Sequence, residues 1–324
     1  MNAMPQTTLG RNGPLVSRLG FGGMRFKMTD KGLVDRAIAV PLLHRAIELG
    51  VTYFDRAVFY GNADSQKAMG EALEGRRDKI VLSTKNHLHA STDDEWWRTL
   101  ENSLRLLRTG YLDIYNFHGL TWDAFTKHID GPQGKIRLMV KARDQGLVRH
   151  ICCSFHDSPE ALVKLGETGL FTAITLQYNL LDRSLEQAML RLKELGVGVV
   201  VMGPVGGGRL GVPSERLREA TGDAAISTPE TALRFVLGHP AVSLAISGMS
   251  SIEMLDDNVR IVTACQPFTS DQIRKLDLAL TEMREKDGVR CPACGYCQPC
   301  PAGVDIPENF RVFNEYRMFG LRDT

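Results

Sequence analysis

No apolar stretch in this sequence approaches the roughly 18 residues that a membrane-crossing helix needs, and no long run of one charge sign interrupts it. The first absence excludes a helical membrane span. The second, with 39 Lys and Arg against 38 Asp and Glu and a formal charge of +1, removes electrostatic support for a nucleic-acid or anionic-membrane partner. A small molecule is the expected partner. The opening MNAMPQTTLGRNG has neither a basic n-region nor an apolar h-region, so a cytoplasmic protein is expected. A G-x-G-x-x-G turn is also missing after the first strand-like run, which argues against an open dinucleotide-binding sheet.

What is present is a regular alternation. The chain has 324 residues, 43% hydrophobic and 24% charged, enough to bury a large core. Between Leu15 and Ser247, β-branched or apolar runs take turns with segments of helical periodicity, the pattern of a parallel sheet. The predicted strands are Ser17–Gly22, Thr52–Asp55, Lys79–Lys85, Leu112–His118, Val148–Ser154, Ala173–Tyr178, Gly198–Met202 and Val242–Ser247. Eight such units are the count for a closed (β/α)8 barrel of the α/β class.

The intervening helices carry start signals. Thr92-x-x-Glu95 is a capping box ahead of Trp96, Leu100, Leu104 and Leu107, and Ser158-Pro159 and Thr228-Pro229 each pair a cap with a first-turn proline. After the last strand, Thr269-x-x-Gln272 opens one more amphipathic helix bearing Ile273, Leu276, Leu280 and Met283. No low-complexity linker follows. The expected division is a barrel over residues 1–265 and, over 266–324, a C-terminal helix and cysteine tail packed on it.

In such a barrel chemistry sits at the C-terminal ends of the strands. Asp55 closes the second strand, Tyr60 follows in its loop, Lys85 closes the third strand and His118 the fourth. Each alone has an ordinary reading as a helix cap, a loop cover or a solvated side chain. Together, on adjacent strands, they form a proton-transfer device. A phenol with a pKa of about 10 is a poor acid or base at neutral pH, but a nearby ammonium favours its ionised form. Asp55 would keep Lys85 charged and in place, and His118 would orient a substrate oxygen.

The order Asp, Tyr, Lys, His in FDRAVFYGN, STK and NFHG resembles the catalytic tetrad of the aldo-keto reductase superfamily, and the resemblance runs from about Thr8 to about Ile261. It implies a (β/α)8 barrel that binds an extended NAD(P)(H) and interconverts a carbonyl and an alcohol, with Tyr60 as general acid or base. It also implies cofactor contacts. Ser154 and Gln177 match the carboxamide-binding positions, with Phe155 where an asparagine is common. Met202 takes the place of the residue stacked on the nicotinamide. Gly203, Pro204, Gly206 and Gly208 in GPVGGGRL would let backbone N–H groups approach the pyrophosphate. Gly248, Ser250, Ser251 and Asn258 match the adenosine-phosphate loop, in which Met254 stands where a basic or amide residue is common and Asp256 and Asp257 add negative charge. NAD(H) therefore competes with NADP(H). Arg56 replaces the usual threonine after the catalytic aspartate, either to bind an anionic substrate or as a structural ion pair.

Seven cysteines are present, and an odd count with four clustered does not make a disulfide framework. Cys291, Cys294, Cys297 and Cys300 form a continuous C-x2-C-x2-C-x2-C-P, with knuckles too close for a usual zinc site. The run resembles that of ferredoxins, and the tail CPACGYCQPCPAGVDIP resembles the C-terminal extension of a bacterial branch of the aldo-keto reductases; both imply a [4Fe-4S] cluster. Zinc and unmetallated thiols stay open, as does Cys265 as a substitute ligand. Cys152 and Cys153 read as small core residues. A cubane moves one electron and nicotinamide two, so the cluster either staples the tail to the barrel or relays electrons to an external partner. Two rival functions remain: a cofactor- or redox-sensing regulator, and an isomerase or epimerase that recycles its nicotinamide internally.

Overall fold

The computed structural model describes residues 3–61, 63–87, 92–221, 227–264, 266–287, 297 and 299–319. Eight parallel strands close into a barrel: β3 (Leu19–Gly22), β4 (Tyr53–Asp55), β5 (Val81–His87), β6 (Leu112–Leu120), β7 (Val148–Phe155), β8 (Ala173–Gln177), β9 (Gly198–Met202) and β10 (Val242–Gly248), with β10 pairing both β3 and β9. All eight predicted strands are present. The largest boundary differences are two residues: β3 and β5 start two residues later than expected, and β5 and β6 run two residues beyond Lys85 and His118.

The sequence reading missed a hairpin. β1 (Gln6–Thr8) pairs antiparallel with β2 (Leu15–Ser17), so Ser17 belongs to the hairpin and not to the first barrel strand. Leu9 and Val16 reach into the barrel interior beside Tyr53, Val81, Ile114, Cys152, Ala173, Val200, Leu244 and Ile246. The hairpin thus plugs the N-terminal mouth. Burying each of these side chains contributes about 1.5–3 kcal/mol, and the contact explains why the opposite mouth alone is left for chemistry.

The helices cover the outside: α1 (Arg36–Glu48), α2 (Ser65–Ala72), α3 (Asp93–Leu106), the single turn α4 (Trp122–Ala124), α5 (Ile136–Asp144), α6 (Pro159–Glu167), α7 (Glu186–Leu195), α8 (Glu215–Thr221), α9 (Thr228–Gly238) and α10 (Ile252–Ala264). The Thr92 and Ser158 hydroxyls accept from the Glu95 and Ala161 amides as expected. One cap is corrected: Ser227, not Thr228, caps α9 by accepting from the Glu230 amide, and the Thr228 hydroxyl instead accepts from the Ser214 amide.

At the C-terminus, α11 (Ser270–Asp287) opens with the reciprocal Thr269–Gln272 capping box and buries Leu276 and Leu280. α12 (Ile306–Phe319) lies against α11 and α8. None of the described helices is long and apolar enough to cross a membrane.

Candidate active site

Strand parity builds the site. Side chains of a strand alternate between faces, so residues two and four positions beyond an interior residue also face inward. Starting from the interior layer, this rule carries Tyr53 to Asp55, Val81 to Ser83 and Lys85, Ile114 to Asn116 and His118, Cys152 to Ser154, Ala173 to Gln177, Val200 to Met202 and Ile246 to Gly248. The catalytic and nicotinamide-end candidates on strands therefore share one inward face at the C-terminal mouth.

The Lys85 ammonium donates to the Asp55 carboxylate and, at 2.8 Å, to the backbone carbonyl of Arg56. Lys85 is 2% exposed and Asp55 5%. The other Asp55 oxygen accepts from the Ser83 hydroxyl at 2.8 Å, and Ser83 accepts in turn from the Asn116 amide at 3.1 Å. Lys85 Nζ lies 5.1 Å from the centroid of the Tyr60 ring, and Tyr60 meets the His118 ring edge-on at 6.2 Å between centroids. All four residues of the predicted tetrad are brought together.

Tyr53, one layer below, is the contrasting phenol. Complete burial, then the nearby Asp55 charge, push its hydroxyl well above the usual range, so it stays neutral. Tyr60 is half-buried and opens to the mouth.

Ser154 is buried and its hydroxyl accepts from the Gly119 amide at 2.8 Å, next to His118. Gln177 is exposed at the end of β8, and Met202 is half-buried at the end of β9. Phe155 belongs to the core between barrel and helices. Beyond Met202 the chain turns through Gly203, Gly206, Gly207 and Gly208, all with positive φ, and added side chains at Gly207 and Gly208 would meet open space. Pro204 is buried.

A cavity of 640 Å³ opens beside this loop, lined on one side by Ser247, Gly248, Asp257 and Asn258 and on the other by Ser214 and Thr228. Asn258 is buried and donates to the Ser247 hydroxyl at 3.1 Å. Ser250 and Ser251 precede α10, and the Ser251 hydroxyl accepts from the Met254 amide. Arg218 and Arg260 also line the cavity. Sequence reading did not find them, because they lie on helices outside the phosphate-loop pattern. Each already meets a carboxylate: Arg218 meets Glu215, and Arg260 meets Asp257 at 3.6 Å. Asp256 pairs with Arg45 of α1 at 3.3 Å.

Two further residues were missed. Asn179, fully buried, donates to the Gly203 carbonyl at 3.0 Å and accepts from the Leu181 and Asp182 amides, buttressing the glycine loop. Arg25, in the loop after β3, donates to the Gly207 carbonyl at 3.2 Å and so bridges the mouth. Only tertiary packing defines either role.

Residues 18–280 match the family model described as the aldo/keto reductase family. The chain belongs to that family. The uncharacterized oxidoreductase YqkF of Bacillus subtilis (strain 168) is 28% identical over 306 residues, covering 84% of this chain and 95% of that one. Among solved structures, the holo form of an aldo-keto reductase from Bacillus halodurans is similar, with 28% identity, a TM-score of 0.73, and coverage of 85% and 96%. An aldo-keto reductase from Klebsiella pneumoniae in complex with NADPH shares the fold, with 24% identity, a TM-score of 0.70, and coverage of 86% and 95%. This aldo/keto reductase is accordingly an NAD(P)-dependent oxidoreductase that interconverts carbonyl and alcohol groups.

In the tail, Cys297 is exposed and Cys300 half-buried, with neither in a disulfide. Cys265, Cys291 and Cys294 lie outside the described residues. Among the described residues no group of three or more metal-ligating side chains forms. Cys152 and Cys153 are core residues, as expected, and burial pushes the Cys152 thiol up to about 12.

Proposed function

We propose that Tyr60 carries the proton of the carbonyl–alcohol interconversion, giving it to the substrate oxygen on reduction and taking it back on oxidation. Lys85 stands behind the phenol as a fixed positive charge, Asp55 holds Lys85 in place, and His118 orients the substrate oxygen. The observation that carries this reading is the buried Lys85–Asp55 pair beneath the half-exposed Tyr60 ring. A strand-end lysine in solvent would instead swing freely.

The dinucleotide fits the residues present: the open, left-handed Gly203–Gly208 turn can present N–H groups to a pyrophosphate, and the 640 Å³ cavity beside Gly248 and Asn258 suits its adenosine end. Ser154 and Gln177 would hold the carboxamide, with Met202 on the ring face and Ser250 and Ser251 at the adenosine phosphate. When bound, the nicotinamide supplies or accepts the hydride. NAD(H) is expected to compete well with NADP(H), because both cavity arginines already face carboxylates.

The remaining parts of the reading concern the tail. Residues 1–265 form the catalytic barrel and 266–324 an extension packed on it, in a cytoplasmic protein. Cys291, Cys294, Cys297 and Cys300 hold a [4Fe-4S] cluster, supported by the spacing and by thiolate as its proper donor. The cluster acts as a staple, with an external electron-transfer partner as the alternative.

Tyr60→Phe is the test. Turnover should fall by about 10²–10⁴, the usual worth of general acid–base catalysis, while cofactor binding measured by fluorescence titration stays in place. Undiminished turnover would exclude Tyr60 as the proton carrier.

A further inference from the structure

The Lys85–Asp55 pair rests on two further polar side chains inside the barrel. Ser83, opposite Asp55 in the strand register, and Asn116, opposite Lys85, are both 0% exposed. The hydrogen bonds that join them run in one direction. Asn116 spends its amide hydrogens on the Ser83 oxygen and on the Thr84 carbonyl, each at 3.1 Å. The reverse amide orientation would set its oxygen against that carbonyl, which can only accept. Ser83, receiving a hydrogen from Asn116, directs its own single hydrogen to Asp55 at 2.8 Å. The arrangement has a cost, because the Asn116 side-chain oxygen is buried without a partner among the described residues. A leucine would fill similar space without that cost, so packing alone does not account for an amide at this place.

Asp55 is thereby held by both oxygens, one to Ser83 and one to Lys85. The Lys85 ammonium carries three hydrogens in a tetrahedral fan. One goes to Asp55 and one to the Arg56 carbonyl at 2.8 Å, so these two acceptors fix the direction of the third. That third hydrogen is the one left for Tyr60, whose ring centroid lies 5.1 Å from Nζ. The Arg56 carbonyl is anchored by its own side chain: the guanidinium, 0% exposed, donates to the Asp55 carbonyl at 2.5 Å and to the Met69 sulfur at 3.7 Å, and lies 4.8 Å from the Phe26 ring centroid. Arg56 forms no ion pair among the described residues, and its full burial rules out contact with an anionic substrate. Of the two acceptors that aim Lys85, only Asp55 is a side chain that can turn.

We propose that Ser83 and Asn116 are positioning residues of the proton-transfer site: they set the orientation of Asp55 and, through it, the direction in which Lys85 presents its remaining hydrogen to Tyr60. The inference rests on Tyr60 being the proton carrier. Without the Ser83 hydroxyl the carboxylate turns about its own bond, and the ammonium turns with it.

The test compares Ser83→Ala, Asn116→Leu and the double variant in single-turnover reduction by NAD(P)H, with whichever of benzaldehyde, glyceraldehyde and methylglyoxal the wild type reduces fastest. Ser83→Ala should slow the step about tenfold and Asn116→Leu about threefold, within the roughly hundredfold that a small misplacement of a reacting group can cost. The KM values for cofactor and aldehyde should stay near their original values, and the solvent deuterium isotope effect should grow, because the proton is what is misplaced. Asn116→Leu also removes the unpartnered oxygen, so its denaturation midpoint should hold or rise while its rate falls. A merely structural role would lower both together. Since Asn116 acts through Ser83, the double variant should be no slower than Ser83→Ala. A folded Ser83→Ala with the wild-type rate, losses that multiply in the double variant, or an Asn116→Leu that slows only as its midpoint drops overturns the proposal. Should Ser83→Ala not fold, Asn116→Leu decides: a wild-type rate overturns the proposal, and a slower rate at an undiminished midpoint supports it. If Tyr60→Phe keeps its turnover, the assignment of Tyr60 falls first. If Tyr60→Phe is inactive and Ser83→Ala is not slowed, the positioning inference alone falls.

Discussion

Lys85 donates to Asp55 inside the barrel, and both side chains are almost wholly removed from water. Two buried opposite charges tolerate each other only while paired. Lys85→Met would leave Asp55 with the Ser83 hydroxyl as its remaining side-chain partner, which is not enough for a buried carboxylate. The variant should lose about 3–5 kcal/mol of stability, read as a lower denaturation midpoint, and most of its turnover. Adding Asp55→Asn should return part of the stability and none of the turnover. Full stability in Lys85→Met alone would show that the pair is not what holds this mouth together.

Asn179 supports the glycine loop proposed to hold the cofactor, away from the proposed proton-transfer residues. It makes three hydrogen bonds in a fully buried setting, one of them to the Gly203 carbonyl at the start of the glycine turn. Asn179→Ala should therefore raise the KM for nicotinamide cofactor about tenfold, with kcat at saturation little changed, and lower stability by about 1–3 kcal/mol. Initial-rate kinetics separate the two effects. An equal loss in kcat would mean that the loop also shapes the reacting end.

The alternation of apolar runs marked all eight barrel strands, because each buried strand needs an inward layer and the spacing to the next unit is regular. The tetrad was legible for the same reason: strand parity and chain order put Asp55, Lys85 and His118 on one inward face. The hairpin Gln6–Ser17 was not, since its three-residue strands are too short to show alternation and derive their burial from the barrel. The Arg56 residue type was visible, but its burial depends on Phe21, Phe26, Gly23 and Met69, which arrive from separate segments. Arg218 and Arg260 went unnoticed because neither belongs to the residues whose pattern resembles an adenosine-phosphate loop.

Arg260 faces both Asp257 and the cavity. The pair is partly exposed, so its strength is modest. Arg260 also lies 4.0 Å from Glu230, so Asp257→Asn loosens its hold rather than freeing it and should improve NADP(H) binding by about twofold, within the range of one exposed charge contact, while NAD(H) binding stays the same. Parallel titrations of the two cofactors decide the matter. Equal gains for both would place the effect on the cavity as a whole.

His239 gives the fold a pH limit on the acid side. Its Nδ1 accepts from the Ala241 amide at 3.3 Å, which requires a neutral ring, and burial lowers its pKa. His150 is lowered for the same reason. A histidine whose folded pKa is depressed binds its proton more readily when unfolded, so stability is kept above the ordinary value of about 6.5 and drains away as pH falls below it. Thermal midpoints should be flat from pH 8 to about 6.5 and decline toward pH 5. His239→Asn, which retains an acceptor without titrating, should flatten part of that decline, and an unchanged slope would assign it to other groups.

The cluster proposed for the cysteine tail can be judged by what its removal does to cofactor binding. α12 lies against α8, and Glu215 and Arg218 of α8 line the cavity proposed for the adenosine end. A cluster that staples the tail would therefore stiffen one wall of that cavity without entering the hydride path. Protein prepared without oxygen should be brown and contain about four irons per chain, the content of one cubane. After anaerobic removal of the iron by a chelator, the denaturation midpoint should drop and the cofactor KM should rise by a few fold, with kcat at saturation and its dependence on Tyr60 both retained. A relay would behave in the opposite way: cofactor binding would be untouched, while electron delivery from NAD(P)H to a one-electron dye would disappear. The two outcomes differ because a staple acts on the position of α8, whereas a relay acts on the electrons alone.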